Sequence, residues 1–146
     1  MTLVDQFIER LTSATDCPFS LVERAGDLAI VKERPNALPA AYVLTLEEAS
    51  ARSERMMGGV LQRLESDLGV ILVTENVADA IGSAASADVE QLKIWTRRRL
   101  IGFVPDAQTG EAVEHISGKL LRIAGGCLWW GETFGVASYL EEGVPA

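Results

Sequence analysis

Few residues of this sequence could do nucleophilic or acid–base chemistry. His115 is the only histidine, and it precedes Ser117 by two positions, a spacing that puts both side chains on one face of a strand. A catalytic histidine needs a partner that orients it, and the sequence offers none. The paired glutamates at 47–48 and 141–142 lie in polar surroundings, whereas acid–base carboxylates need partly buried ones. We therefore predict no catalytic residues.

The residue types that hold metals and cofactors are also sparse. Cys17 and Cys127 are far apart, no C-x-x-C pair occurs, and no second histidine could complete a zinc site. Gly118-Lys119 resembles the end of a phosphate loop, but Leu120 follows where serine or threonine is required. We predict no metal, no cofactor, and two buried or half-buried free thiols.

Length and charge restrict the class of protein. The chain has 146 residues, of which 48% are hydrophobic, as expected for one globular domain spanning 1–146. The formal net charge of −8 disfavours general binding to nucleic acids and to anionic membranes. The first residues lack the pattern of a secretory signal, and no apolar run is long enough to span a bilayer. We expect synthesis in a host cytoplasm.

The periodicity of apolar residues predicts two helices and at least four strands. The helices are expected at 3–14, after a capping pair formed by Thr2 and Asp5, and at 84–101. The strands are expected at 40–46, 60–74, 113–124 and 127–136, with a further short strand possible between 19 and 31. Gly125-Gly126 predicts a tight hairpin. The fold class is α+β: a mostly antiparallel sheet with two helices packed on one face.

Two polar segments interrupt this pattern. The range Glu47–Gly59 lies between two predicted strands, so we interpret it as the arm of a long hairpin or as a mobile loop. The range 138–146 is polar at the end of the chain, and we expect it to be frayed.

Three groups of residues are candidates for contacts with protein partners. The consecutive apolar residues Val70, Ile71, Leu72 and Val73 need cover on both faces of the sheet, from a helix or from a neighbouring chain. Trp129 and Trp130 face opposite sides of a strand, so one of them lies on the outer face, unless both are buried within the monomer. Three consecutive arginines complement the dipole at the end of the second helix, contact a partner protein, or bind nucleic acid: Arg97, Arg98 and Arg99.

Four stretches together resemble the phage tail terminator proteins of long-tailed phages and prophages. They are the segments 3–11 (LVDQFIERL), 39–44 (PAAYVL), 62–79 and 126–134 (GCLWWGETF). The resemblance covers residues 3–136 and rests on the spacing and general character of the residues, not on motifs that carry a specific chemistry.

The resemblance implies a structural virion protein of the phage tail. Family members assemble as hexameric rings that cap the head-proximal end of the tail tube, stop tube polymerisation and join the tail to the head connector. The implied partners are copies of the same chain, the tail tube protein and the head–tail connector protein, with DNA passing through the ring without specific binding. In that setting the Glu47–Gly59 arm would reach the tube or an adjacent subunit.

Three alternatives stay open at the level of sequence. Another ring-forming virion subunit, such as a tail tube, baseplate or connector protein, would have a similar composition. A small cytoplasmic enzyme or ligand-binding domain would require a deep pocket with convergent polar groups. A nucleic-acid binder would have to use Arg97–Arg99 against the net charge of −8.

Overall fold

The described residues of the chain form two helices and one five-stranded mixed sheet. The computed structural model describes residues 1–27, 29, 34–76 and 83–144. In chain order the elements are α1 (Leu3–Thr12), β1 (Leu21–Arg24), β2 (Ala40–Ser50), β3 (Leu61–Glu75), α2 (Ser83–Leu100), β4 (Glu114–Ala124) and β5 (Cys127–Glu141). The strand order is β1-β2-β3-β5-β4, and only the β1–β2 pair is parallel. The predicted α+β class, mostly antiparallel, is confirmed.

Helix α1 starts at the predicted capping pair. The Thr2 hydroxyl accepts a hydrogen bond from the Asp5 backbone N–H at 3.1 Å, and the Asp5 carboxylate accepts one from the Thr2 N–H at 3.1 Å. The two bonds satisfy N–H groups that the first helical turn leaves without partners. The helix then buries Phe7 and Leu11, which lie one turn apart on its inner face.

Both helices pack on the same face of the sheet. One hydrophobic cluster joins residues of α1 and α2 to the sheet side chains that point toward them: Phe7, Leu11, Ala41, Val43, Leu68, Val70, Leu72, Val89, Leu92, Leu100, Val113, Leu128, Phe134 and Val136. Val89, Leu92 and Leu100 form the buried apolar stripe of α2, and Thr96 on the same helix is also buried. The expected arrangement of two helices on one face is thus confirmed.

The opposite face of the sheet, here called the outer face, carries a second apolar cluster. Its buried members alternate with those of the first cluster along each strand: Ala40, Tyr42, Leu44, Ile71, Val73, Cys127 and Trp129. Each of Val70, Ile71, Leu72 and Val73 is at most 1% exposed. The run Val70–Val73 is therefore covered on both faces within the single chain, and its burial does not require a neighbouring subunit.

Several element boundaries differ from the sequence predictions. Strand β2 continues to Ser50, and β5 continues to Glu141, because both remain paired with β3 beyond the helices. Residues 47–50 are therefore strand, in agreement with the hairpin-arm alternative for the range Glu47–Gly59, and residues 138–141 are strand where a frayed tail was predicted. The ambiguous segment before β2 contains the short parallel strand β1. The later part of the possible strand between 19 and 31 falls on residues 28, 30 and 31, which lie outside the described residues.

Two leucines that flank the same tryptophan test the packing of the helix face. Leu72 on β3 and Leu120 on β4 are both direct neighbours of Trp130 across the strands, but Leu72 is fully buried and Leu120 is 50% exposed. We expect Leu72→Ala to lower the free energy of unfolding by about 2–5 kcal/mol, because it leaves a cavity. Leu120→Ala should cost less than about 1 kcal/mol.

Denaturant unfolding at low protein concentration measures both values. Equal costs for the two variants would contradict the assignment of Leu72 to the core and of Leu120 to an open edge.

Candidate functional site

The two tryptophans of β5 lie on opposite faces of the sheet, as predicted. Trp129 pairs with Val73 and joins the outer cluster, where it is 2% exposed. Trp130 pairs with Leu72 on the helix face and is half-buried. The Lys93 ammonium of α2 lies 3.9 Å from the centre of the Trp130 ring, a cation–π contact. The tryptophan on the outer face is thus buried within the chain, and the half-exposed one faces α2.

The three arginines at the end of α2 point in different directions. Arg97 pairs with Glu132 of β5. The side chain of Arg99 donates to the Arg10 carbonyl at 2.6 Å, and Arg10 donates back to the Arg99 carbonyl at 3.0 Å. Arg98 is exposed and makes no ion pair with any described residue. Arg97 and Arg99 therefore tie α2 to the sheet and to α1, and only Arg98 is a free surface charge.

Glu132 is the centre of a buried polar cluster, here called the Glu132 cluster. Its side chain is 0% exposed and accepts four hydrogen bonds. Arg97 donates two of them, at 2.9 and 2.8 Å, in the parallel geometry that suits a guanidinium and a carboxylate. Trp130 Nε1 donates to Oε1 at 2.7 Å, and His115 Nε2 lies 2.7 Å from Oε2. The cluster joins α2, β4 and β5 around one carboxylate.

The hydrogen bonds outweigh the effect of burial on Glu132. Burial alone would raise the pKa of the Glu132 carboxyl, because it disfavours the charged form. The hydrogen bonds from Arg97, Trp130 and His115, together with the charge of Arg97, hold that pKa below its usual value instead. The same contacts raise the pKa of the Arg97 guanidinium. The pair is therefore ionised at neutral pH.

The Glu132 cluster lacks the arrangement of a nucleophilic site. The sequence predicted His115 and Ser117 on one face of β4, and this prediction is wrong. A β-bulge at Ile116 sets His115 opposite Phe134 and Ser117 opposite Thr133, which are consecutive residues of β5. The histidine therefore faces the helices with Glu132, while the serine faces the outer side of the sheet.

The glycine in β4 makes room for this cluster. A Cβ atom at Gly118 would lie 2.6 Å from Oε1 of Glu132 and 3.1 Å from the Trp130 ring. Gly118 thus has a packing role. The dipeptide Gly118-Lys119, which resembles the end of a phosphate loop, is part of strand β4.

Side chains of the types that bind metals or form disulfides are also present among the described residues. No group of three or more His, Cys, Asp or Glu side chains could hold a metal ion there. Cys17 is half-buried and Cys127 is buried, and both are free thiols. Among these residues no helix is long and apolar enough to cross a membrane.

The far ends of β2 and β3 form an arm that extends beyond both helices. This arm comprises residues 46–67, with a tip loop at 51–60, and the end of β5 lies beside it as a third strand. Arg55 bridges the tip to Glu141 at 2.9 Å, and Ser53 Oγ accepts from the Leu61 N–H at 3.2 Å. Glu142 accepts from the Val60 N–H at 3.2 Å. The tip loop is therefore fastened to the sheet by side-chain contacts.

Two adjacent methionines stand at the tip of the arm. Met56 is 98% exposed and Met57 is 89% exposed, more than any other large apolar side chain in the described residues. Methionine is flexible and polarisable, which suits it to adaptable contacts between proteins. An exposed apolar pair on a fastened loop is a candidate docking point.

Sequence reasoning missed Glu132 and did not single out the methionines. The signal for Glu132 was its place in the sequence two residues after Trp130 and two before Phe134. In a strand this spacing puts all three side chains on one face, so an acidic residue lies among aromatic ones. The signal for Met56-Met57 was an apolar pair next to Gly58-Gly59 inside a polar segment. Neither signal names a partner.

The described residues thus form an α+β domain with an extended arm and a buried ion pair between Arg97 and Glu132. The family model for phage tail terminator proteins matches residues 3–142. The chain therefore belongs to the phage tail terminator family. A comparison with curated proteins finds no significant match. Membership in this structural, non-enzymatic family makes the chain a component of the phage tail that interacts with the tail tube and acts in its termination.

Replacing Glu132 by glutamine tests the Glu132 cluster. We expect Glu132→Gln to lower the free energy of unfolding at neutral pH by about 1–3 kcal/mol, because Arg97 loses its charged partner. The Arg97 side chain is 36% exposed, so water screens part of the loss. A matched control is Glu65→Gln, which removes the carboxylate of an exposed pair with Arg63 and should cost less than about 1 kcal/mol.

The same variant tests how the stability of the protein depends on pH. The folded-state pKa of Glu132 is depressed, so its contribution is present above the unfolded pKa of about 4.3 and is lost as pH falls through the folded value. As the pH is lowered from about 6 to about 3, the free energy of unfolding should therefore fall less in Glu132→Gln than in the wild type. Identical pH profiles would show that the cluster does not contribute.

Proposed function

We propose that the chain forms a closed hexameric ring on the head-proximal end of the tail tube, where it stops tube polymerisation and presents a surface to the head connector. Membership in the terminator family supports the tube end as the place of action. The hexameric number and the contact with the connector follow from the resemblance to that family. Copies in such a ring meet through two different surfaces, as cyclic symmetry requires.

The observation that carries this proposal is the fastened arm with its exposed methionines. A contact that ends a tube must reach the last ring of tube subunits and hold there. The arm extends beyond the helices and carries Met56 and Met57 at 98% and 89% exposure. Because Arg55, Ser53 and Glu142 fasten the loop, little conformational freedom is lost when the methionines bind. We assign the tip to the tube end.

The candidate interface residues of the sequence divide into two groups in this proposal. Trp129 and the run Val70–Val73 act indirectly, by stiffening the sheet from which the arm extends, because their side chains are buried. Arg98, with a free charge on α2, is placed where the head connector could reach it, and Trp130, half-buried beside α2, is placed where a neighbouring subunit could reach it. Arg97 and Arg99 serve the internal contacts of α2.

The net charge suits a ring through which DNA passes. With a formal charge of −8 per chain, the ring as a whole repels the phosphate backbone. DNA in the channel would then slide without being held.

Growth of tail tubes in the presence of the chain tests the proposal. Tubes assembled from the cognate tail tube protein should stop elongating when the chain is added, and labelled chain should appear at one end only by electron microscopy. Met56→Gln with Met57→Gln should weaken capping by at least about tenfold, because burial of each methionine is worth about 1.5–3 kcal/mol.

The matched control changes two exposed apolar residues away from the arm. Ile94→Gln with Ile101→Gln alters side chains that are 42% and 49% exposed and should leave capping unchanged. Tubes that keep growing with wild-type chain bound along their length would contradict the proposed function. Equal loss of capping in both double variants would contradict the role of the tip.

A further inference from the structure

Strand β4 leaves a long edge of the sheet open. It is the last strand in the sheet order, it has 11 residues, and among the described residues only β5 pairs with it. Ile116, Leu120 and Ile123 on this strand are 51%, 50% and 48% exposed. Long apolar edges readily accept a further strand, since one row of their backbone N–H and C=O groups has no partner. This edge is therefore suited to pairing with another chain.

The two sides of β4 differ in chemistry. Leu120 and Ile123 oppose Trp130 and Leu128, which belong to the helix face. Lys119 and Arg122 oppose Gly131 and Trp129 and so lie on the outer face. Both cations are exposed, and neither has an ion-pair partner in the described part of the chain, although the chain carries a net charge of −8.

The opposite edge of the sheet carries the complementary pattern. Strand β1 is the first in the sheet order, and Val22 packs with the helix-face cluster. Glu23 pairs with Tyr42, so its side chain lies on the outer face, exposed and without an ion pair among the described residues. Asp27, also exposed, follows shortly after the strand. The unpaired charges of the two edges thus lie on the same face of the sheet and have opposite sign. Leu21 of β1 and Leu121 of β4 add apolar contacts on that outer face, and Arg24 on the helix side is already paired with Asp5 of the same chain.

The strand directions also match. β1 and β2 are parallel and each later pair in the order is antiparallel, so β4 runs opposite to β1. If copies of the sheet follow one another around a ring, β4 of one copy meets β1 of the next in antiparallel orientation. Antiparallel pairing needs no crossover connection and forms direct hydrogen bonds.

We propose that the β4 edge binds the β1 edge of a second copy of this chain, so that the sheets of neighbouring subunits continue through each interface. Lys119 and Arg122 then face Glu23 on the outer side, while Leu120 and Ile123 extend the apolar helix-side surface of Val22. The two edges are unlike and lie at opposite ends of one sheet, as a heterologous cyclic interface requires. The inference rests on the proposed ring and specifies which surfaces close it.

A charge exchange across the interface tests this assignment. Arg122→Glu and Glu23→Arg should each weaken self-association by roughly tenfold, because each sets like charges against each other. The double variant Arg122→Glu with Glu23→Arg should recover most of the loss, since it restores the attraction with the signs reversed. Sedimentation velocity over a range of concentrations measures the association, and circular dichroism verifies that each variant is folded.

Cysteine cross-linking on tubes capped by the chain gives an independent test. In a Cys17→Ser background, Glu23→Cys combined with Lys119→Cys or Arg122→Cys should give a ladder of disulfide-linked multimers under mild oxidation. The matched pair Glu23→Cys with Arg98→Cys should give none, because Arg98 lies on α2 and not on the β4 edge.

The outcomes separate this inference from the proposed function. If the wild type caps tubes as single rings but the charge exchange shows no recovery and neither edge pair cross-links, the inference is overturned and the proposed function stands. Unchanged association in Arg122→Glu would mean that the cations merely protect the edge, which also overturns the inference. If the edge pairs cross-link but the chain never caps tubes, the inference holds and the proposed function fails.

Discussion

The antiparallel pairing of β3 with β5 runs without a break through both halves of the molecule. It extends from Leu61 opposite Glu141 to Glu75 opposite Cys127, and each strand has 15 residues. One half of this pair forms the floor of the core beneath the helices, and the other half forms the base of the arm. Because the backbone hydrogen bonds between β3 and β5 continue from core to arm, the arm is held by the folded core, although a bulge at Leu46 interrupts the pairing of β2 with β3 at its base. The proposed contact of the tip with the tube end would benefit from such a base.

The Glu132 cluster holds the edge strand β4 and helix α2 in place against β5. Arg97 of α2 and His115 of β4 both meet the carboxylate on β5, so one buried charge sets the position of a helix and of a strand. Buried ion pairs contribute modestly to net stability, since desolvation offsets much of their attraction, but they penalise arrangements that leave the charge unpaired. The cluster thus favours one placement of β4. That placement matters because β4 presents the long open edge of the sheet.

The surfaces of the chain suit assembly rather than chemistry. Large apolar side chains are exposed at the arm tip and along β4, whereas His115, the one histidine of the sequence, makes an internal contact with Glu132. His115 and Glu132 hold strands together, and Gly118 provides the space for their carboxylate. A member of the tail terminator family needs such surfaces, because its action consists of binding the tail tube.

The order of elements followed from the sequence because local patterns decided it. The capping pair of Thr2 and Asp5, the apolar stripe of α2 and the Gly125-Gly126 turn are interactions between residues close in the chain, and all three are present. Both glycines of the turn have positive φ, which their lack of a side chain permits.

Only the tertiary structure decided where the side chains of one element meet those of another. The bulge at Ile116 separates His115 from Ser117, although an alternating strand would put them together. The ends of β2 and β5 are polar and gave no strand signal, yet they are ordered because β3 pairs with them at long range. Glu132 and Arg97 are 35 positions apart in the chain, and their contact depends on how α2 crosses the sheet. The sequence by itself determined the order of the main helices and strands and the family, because both depend on the types and spacing of residues that are close in the chain. The full length of β2 and β5 and the partners of the charged residues depended on contacts between distant segments, which no local pattern encodes.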